Sequence, residues 1–293
     1  MNTFKGTGVA IVTPFDKDKN VDVSALRKLV NHLVNGGVDY LVVLGTTGES
    51  ATLNADEKKL VIDTVIEENN NRLPLVLGIG GNNTQAVINQ INTTDLSVFK
   101  AVLSVSPYYN KPTQEGIYQH YKAIMEQTDA KIILYNVPGR TSLNISAETT
   151  LRLAHDFDRI TAIKEASGNL EQAMKIIQGK PQDFSVISGD DALTLPFIAA
   201  GGDGVISVIA NALPNEFSGM VRAALKNDME EARALHYKVF ELIDYLFAEG
   251  NPAGIKNALA HLGIMEEYVR LPLVPVSDEL SYKIKLFLEK LNK

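Results

Sequence analysis

A chain of 293 residues, 45% of them hydrophobic, can bury the core of one large domain, and a single α/β barrel of ordinary size would use most of it. Its 28 basic and 35 acidic side chains leave a net charge of -7 with no basic run, which argues against nucleic acid and anionic membrane surfaces as partners. Cysteine is absent, which excludes disulfides and thiolate metal sites; Met1 to Gly6 has no signal-peptide character, and no segment approaches the roughly 18 consecutive apolar residues of a membrane span, so a soluble cytoplasmic protein is expected.

Short β-rich apolar runs alternate with amphipathic stretches from residue 7 to about residue 227. Strands are expected at 7–15 (TGVAIVTPF), 40–45 (YLVVLG), 73–79 (LPLVLGI), 101–107 (AVLSVSP), 131–137 (KIILYNV), 160–166 (ITAIKEA), 184–189 (FSVISG) and 204–209 (GVISVI). Helical patterns lie between them, with start signals in the Asn54/Glu57 capping box and the N-cap candidates Thr113 and Ser146. Eight strands alternating with helices imply parallel pairing, and eight is the number that closes a (β/α)8 TIM barrel. An open doubly wound sheet is the alternative and would leave two edges to protect. From residue 228 the strands stop: helices are expected from Asp228 to Glu249, Pro252 to Leu262 and Asp278 to Leu291, with Gly250-Asn251-Pro252 and Leu271 to Pro275 as connectors. The expected organisation is therefore a (β/α)8 barrel over 1–227 and a C-terminal helical region over 228–293.

Active sites of such barrels form at the C-terminal ends of the strands. In ITAIKEAS the period of two puts Lys164 on the same face as Ala162 and Ala166. If that face is the interior, the lysine is buried among small residues, where desolvation disfavours an ammonium and a neutral amine can attack a ketone carbonyl. If it faces the helices, Lys164 is a structural lysine paired with an acid. Tyr135, near the end of the fifth strand, is either a proton donor and acceptor or a packed tyrosine with a satisfied hydroxyl. Arg140, in the following loop VPGRT, suits a substrate carboxylate or is a solvated charge. Gly45-Thr46-Thr47-Gly48-Glu49 brackets two hydroxyls with glycines that let backbone N–H groups approach a small anion, but it matches no nucleotide-binding pattern. The five histidines (32, 120, 155, 236 and 261) are widely spaced on expected helices and suggest no metal site. Asp190 and Asp191 could hold a metal only with further ligands that the sequence does not supply, so support of the loop is the expected role.

Six ordered segments, GTTGE (45–49), SPYYNKP (106–112), YNVPGRT (135–141), IKEASGN (163–169), SGDD (188–191) and GVISVIAN (204–211), together resemble the dihydrodipicolinate synthase family, as do NPAGIKNAL and RLPLVP in the tail. The resemblance runs nearly the full length. It implies a condensation of pyruvate with aspartate semialdehyde, with Lys164 as the Schiff-base lysine and Tyr135 as the central proton donor and acceptor. It makes Thr46 and Tyr109 the relay hydroxyls, Tyr109 reaching into a neighbouring subunit. Thr47 and the backbone of Ile206 become pyruvate contacts, and Arg140 the partner of the semialdehyde carboxylate. No metal or organic cofactor is implied, and a homotetramer built as a dimer of dimers is. A related pyruvate-dependent aldolase, such as N-acetylneuraminate lyase or a 2-keto-3-deoxy sugar acid aldolase, is the alternative, against which Arg140 argues. A keto-acid-binding barrel without activity would be expected to lack Lys164 or Tyr135.

Lysine-inhibited members of the family bind lysine at positions that are here Ser50, Ala51, Ala55, Lys58, Asn82, Ala86 and Tyr108. Ala55 and Lys58 stand where such members often carry histidines, and Ala86 where they carry a glutamate. Weak or absent inhibition by lysine is expected.

Overall fold

The two-residue period of the strands sorts their side chains between two cores. Tyr40 and Val42 belong to a small cluster inside the barrel, whereas Leu41 and Val43 belong to a much larger one under the helices. The computed structural model describes residues 4–291. The reading of Met1 to Gly6 extends over residues 1–3, and that of the helical region over 292 and 293, which lie outside the described residues.

Eight parallel strands close in chain order: β1 (Gly6–Ala10), β2 (Tyr40–Val43), β3 (Leu75–Gly78), β4 (Phe99–Val105), β5 (Ile132–Asn136), β6 (Ile160–Glu165), β7 (Ser185–Ser188) and β8 (Gly204–Ser207). The closure is made by β1 on β8, Gly8 lying opposite Ile206, so the open-sheet alternative is excluded. Gly8 also faces Tyr40 on β2, where a Cβ would come within 2.2 Å of the tyrosine ring. Only a residue without a side chain leaves room for that fully buried ring in the barrel.

Helices cover the outside. Val23–Asn35 places Leu26, Leu29, Val30 and Leu33 at the spacing of one helical face and buries them all; each contributes about 1.5–3 kcal/mol on leaving water. Asp22 caps it by accepting from the Ala25 N–H at 3.0 Å. The reciprocal Asn54/Glu57 capping box forms, and Thr113 and Ser146 are N-caps. After Pro214–Leu225 the chain continues through Met229–Ala248, Ala253–His261 and Asp278–Leu291. These bury Leu242, Leu246, Ile255, Leu259 and Ile284 in the same outer cluster as the barrel helices.

Seven of the eight observed strands are shorter than the expected runs, mainly at their C-terminal ends, and the fourth, Phe99–Val105, keeps its length but starts and ends two residues earlier. The expected run 7–15 leaves the sheet after Ala10, yet residues 11–15 stay buried. There the backbone finds side-chain partners: Val12 N donates to Asn211 Oδ1 at 3.3 Å, and Gly48 O accepts from Thr13 Oγ1 at 2.7 Å. Buried loops at a barrel mouth carry the same apolar signal as strands, so periodicity overruns them. Short helical turns at Thr46–Gly48, Ser50–Thr52, Pro138–Thr141 and Ile209–Asn211 occupy the same mouth. Among the described residues, no helix is long and apolar enough to cross a membrane.

Candidate active site

Ala162 and Ala166 pack in the interior cluster while Ile163 packs outward, so Lys164 enters the barrel, where it is 5% exposed. Its neighbour in register on β5 is Tyr135, and Lys164 Nζ lies 4.5 Å from the centroid of that ring. The adjacent acid, Glu165, points the other way. It accepts from Ser167 N at 2.7 Å, from Asn136 Nδ2 at 2.9 Å and from Gln172 Nε2 at 2.9 Å. Among the described residues Lys164 has no ion-pair partner, which removes the reading of a structural, acid-paired lysine. Gly189, at the end of β7, makes the room: a Cβ there would stand 2.9 Å from Lys164 Cε and 2.5 Å from Ala166 Cβ.

A cavity of about 510 Å³ opens above the lysine at the C-terminal mouth. Thr46 and Thr47 wall it from the turn after β2, Tyr135 and Arg140 from β5 and the turn after it, Gly189 to Asp191 from β7, and Phe247 and Asn251 from the C-terminal helices. A smaller cavity of about 110 Å³ lies beyond Thr46 and Tyr135, lined also by Ser50, Lys58, Gly80 and Gln90. Thr46 and Tyr135 therefore border both spaces.

Thr47 is buried and its Oγ1 accepts from Asn251 Nδ2 at 3.1 Å, whereas Thr46 is exposed on the single chain. Arg140 sits in the turn Pro138–Thr141 and donates from Nη2 to Asn251 O at 3.2 Å, with its remaining donors toward an exposed rim. Asp191 is the loop support expected of it: Oδ2 accepts from Val208 N at 3.0 Å and Ile209 N at 2.8 Å. Complete burial pushes its carboxyl up to about 6, against those two hydrogen bonds, which act in the opposite direction.

Two expected site residues are not gathered here. The Ile206 side chain packs in the interior cluster and does not wall the cavity, so a contact with a ligand is left to its backbone. Tyr109 lines neither cavity of its own chain; it is 87% exposed, on the loop after β4, with a left-handed φ of 72°. Conversely, Asn251 read as part of a connector, yet it joins Thr47 to Arg140. Its partners lie 204 and 111 residues away, and no local pattern could have announced them.

A closed (β/α)8 barrel whose sixth strand carries a buried lysine with no ion-pair partner among the described residues, facing a tyrosine at the floor of the mouth cavity, has the arrangement that amine-dependent lyase chemistry requires. The chain belongs to the dihydrodipicolinate synthetase family, whose model matches residues 3–291. It is similar to the 4-hydroxy-tetrahydrodipicolinate synthase of Flavobacterium psychrophilum, 60% identical over 293 residues and 100% of both chains. It is also similar to that of Parabacteroides distasonis, 53% identical over 98% of this chain and 97% of the other. Among solved structures, the dihydrodipicolinate synthase of Thermotoga maritima superposes with a TM-score of 0.96 at 40% identity, covering 99% of each chain.

Proposed function

We propose that this protein condenses pyruvate with aspartate semialdehyde, the reaction of the 4-hydroxy-tetrahydrodipicolinate synthases in diaminopimelate and lysine biosynthesis. The observation that carries the reading is Lys164, buried against the Tyr135 ring with no acid partner among the described residues, and with Arg140 at the rim of the same cavity. The amine adds to the pyruvate ketone, and the carbinolamine loses its hydroxyl as water while Tyr135 and Thr46 move the protons. The iminium nitrogen takes up the C=N π pair as the electron pair of a methyl C–H bond becomes the new C=C bond, so loss of that methyl proton gives an enamine. The enamine carbon attacks the aldehyde carbon, and the aldehyde oxygen takes a proton. The semialdehyde's own amine then displaces Lys164 and closes the ring. Thr47 and the Ile206 backbone hold the pyruvate end, and Arg140 the semialdehyde carboxylate.

Tyr109 belongs, in this reading, to the site of a neighbouring copy, which makes a dimer the smallest working unit and fits a homotetramer built as a dimer of dimers; its exposure on the single chain supports this. A cytoplasmic location suits the pathway. The deciding experiment is borohydride reduction with pyruvate, read by intact mass, followed by turnover with aspartate semialdehyde. The parent protein should gain one pyruvate-derived adduct and turn over both substrates, and Lys164→Ala should lose the adduct and several orders of magnitude in turnover. An adduct that survives Lys164→Ala places the nucleophile elsewhere. An adduct without condensation points to a different aldehyde partner.

A further inference from the structure

Lys256 and Glu49 form an ion pair in which both side chains are out of solvent, 0% and 1% exposed, with Nζ 2.5 Å from Oε1. Nζ also donates to Tyr268 O at 2.8 Å, and Glu49 Oε2 accepts from Arg270 N at 3.0 Å. The ring of Phe15 lies under both cations, 4.1 Å from Lys256 Nζ and 4.4 Å from the Arg270 guanidinium carbon. Burial lowers the Lys256 ammonium to about 8 even with Glu49 opposing the shift. Desolvating two charges costs about as much as their attraction returns, and an apolar pair would fill the space without that cost. Stability alone is a poor account of the pair.

Its position is more telling. Glu49 closes the turn Thr46–Gly48: its backbone is left-handed, φ 52°, and its N–H donates to Thr46 O at 3.1 Å. Lys256 lies in the first turn of the helix Ala253–His261, which is entered through Asn251 and Pro252. Asn251 grips Thr47 and Arg140, while Lys256 grips the far end of the same threonine turn. Arg270 adds a bond from its guanidinium to Thr52 O at 2.9 Å. Asn251, just before the short helix, and Lys256, in its first turn, thus hold the threonine turn at Thr47 and at Glu49.

We infer that Lys256 and Glu49 are positioning residues for the reaction: their buried pair fixes the Thr46–Thr47 turn against the C-terminal helix and so sets the Thr46 hydroxyl at the wall it shares with Tyr135. The inference rests on Thr46 being a relay hydroxyl. Glu49→Gln combined with Lys256→Met removes both charges at nearly constant volume and leaves no lone charge buried. This double variant should fold and melt cooperatively, form the pyruvate adduct, and lose about tenfold or more in kcat with each KM within about threefold of the parent. In a Thr46→Val background the same two substitutions should cost less than about twofold, because the group they position is already gone. Parental kcat in the folded double variant overturns the inference, as does an equal loss with Thr46 present or absent. If the double variant does not fold, Glu49→Asp decides: it keeps both charges and withdraws the carboxylate by one methylene. A several-fold loss of kcat that disappears on Thr46→Val supports the pair, and parental kcat overturns it. Parental kcat in Thr46→Val alone would instead count against the relay reading, and is seen separately from the result for the pair.

Discussion

Arg140 commits one guanidinium donor to Asn251 O and keeps the rest of its fork for the cavity rim. A planar, always-charged group held by its edge can meet a carboxylate bidentately without first being ordered by the substrate. Arg140→Ala should therefore raise KM for aspartate semialdehyde and cost on the order of 2 to 4 kcal/mol in kcat/KM, while the borohydride-trapped pyruvate adduct remains. Steady-state kinetics with each substrate varied in turn checks this, and equal damage to both substrates would make Arg140 structural. Strand period puts Ala162, Lys164 and Ala166 on one face but leaves open whether that face turns inward, as it does here, and the expectation of a catalytic Lys164 comes from the family resemblance. Gly189 was not legible, since its reason is a side chain on the neighbouring strand, and neither was the Glu49–Lys256 pair: each member lies in a segment that carries the family resemblance, but they are distant in the sequence and nothing local joins them.

The strands were readable in number and order, and their ends and the short helical turns beyond them were not, because buried mouth loops look like strands. The tie between the loops after β7 and β8 illustrates what decides such ends. Asp191, in the first, accepts the N–H groups of Val208 and Ile209 at the start of the turn Ile209–Asn211 in the second. Its other oxygen, Oδ1, is buried without a hydrogen bond. The folded-state pKa, about 6, lies above the ordinary 3.8. Between those values the folded protein holds a proton that the unfolded chain has lost. Asp191 thus contributes most to stability below about pH 4, and that contribution is lost as pH rises through about 6. The total swing is on the order of 2 to 3 kcal/mol. Asp191→Asn keeps an oxygen acceptor and does not titrate. Relative to the parent, the variant should gain stability by that amount from pH 4 to pH 7, measured by denaturant midpoints across the range. Parallel stability curves for the two proteins would show that Asp191 does not titrate in this window.

At the scale of the whole molecule, the small cavity behind Thr46 and Tyr135 shares both residues with the larger one, so what binds there touches the walls of both spaces. Ser50 and Lys58 line that cavity, and Asn82 donates to Tyr108 O at 3.1 Å nearby. Those positions match the lysine site of inhibited relatives in part only. A bound lysine needs a carboxylate to meet its ammonium, yet none of the residues lining the cavity is acidic, and Lys58 presents a like charge. Ala86, where a glutamate would stand, lies in the helix Thr84–Thr93 with nothing to offer but a methyl group. Losing a charge-assisted hydrogen bond of about 1.5–3 kcal/mol weakens binding by about one to two decades, before repulsion from Lys58 is counted. The enzyme should therefore keep its activity in lysine concentrations that silence inhibited relatives. Titration of lysine at subsaturating pyruvate tests this. Half-inhibition well below about 1 mM, equivalent to binding stronger than about 4 kcal/mol, would mean that a carboxylate outside the cavity lining has taken the missing glutamate's place. Ala86→Glu with Lys58→His should then bring sensitivity into an insensitive parent, since the pair of changes supplies the acceptor and removes the competing cation.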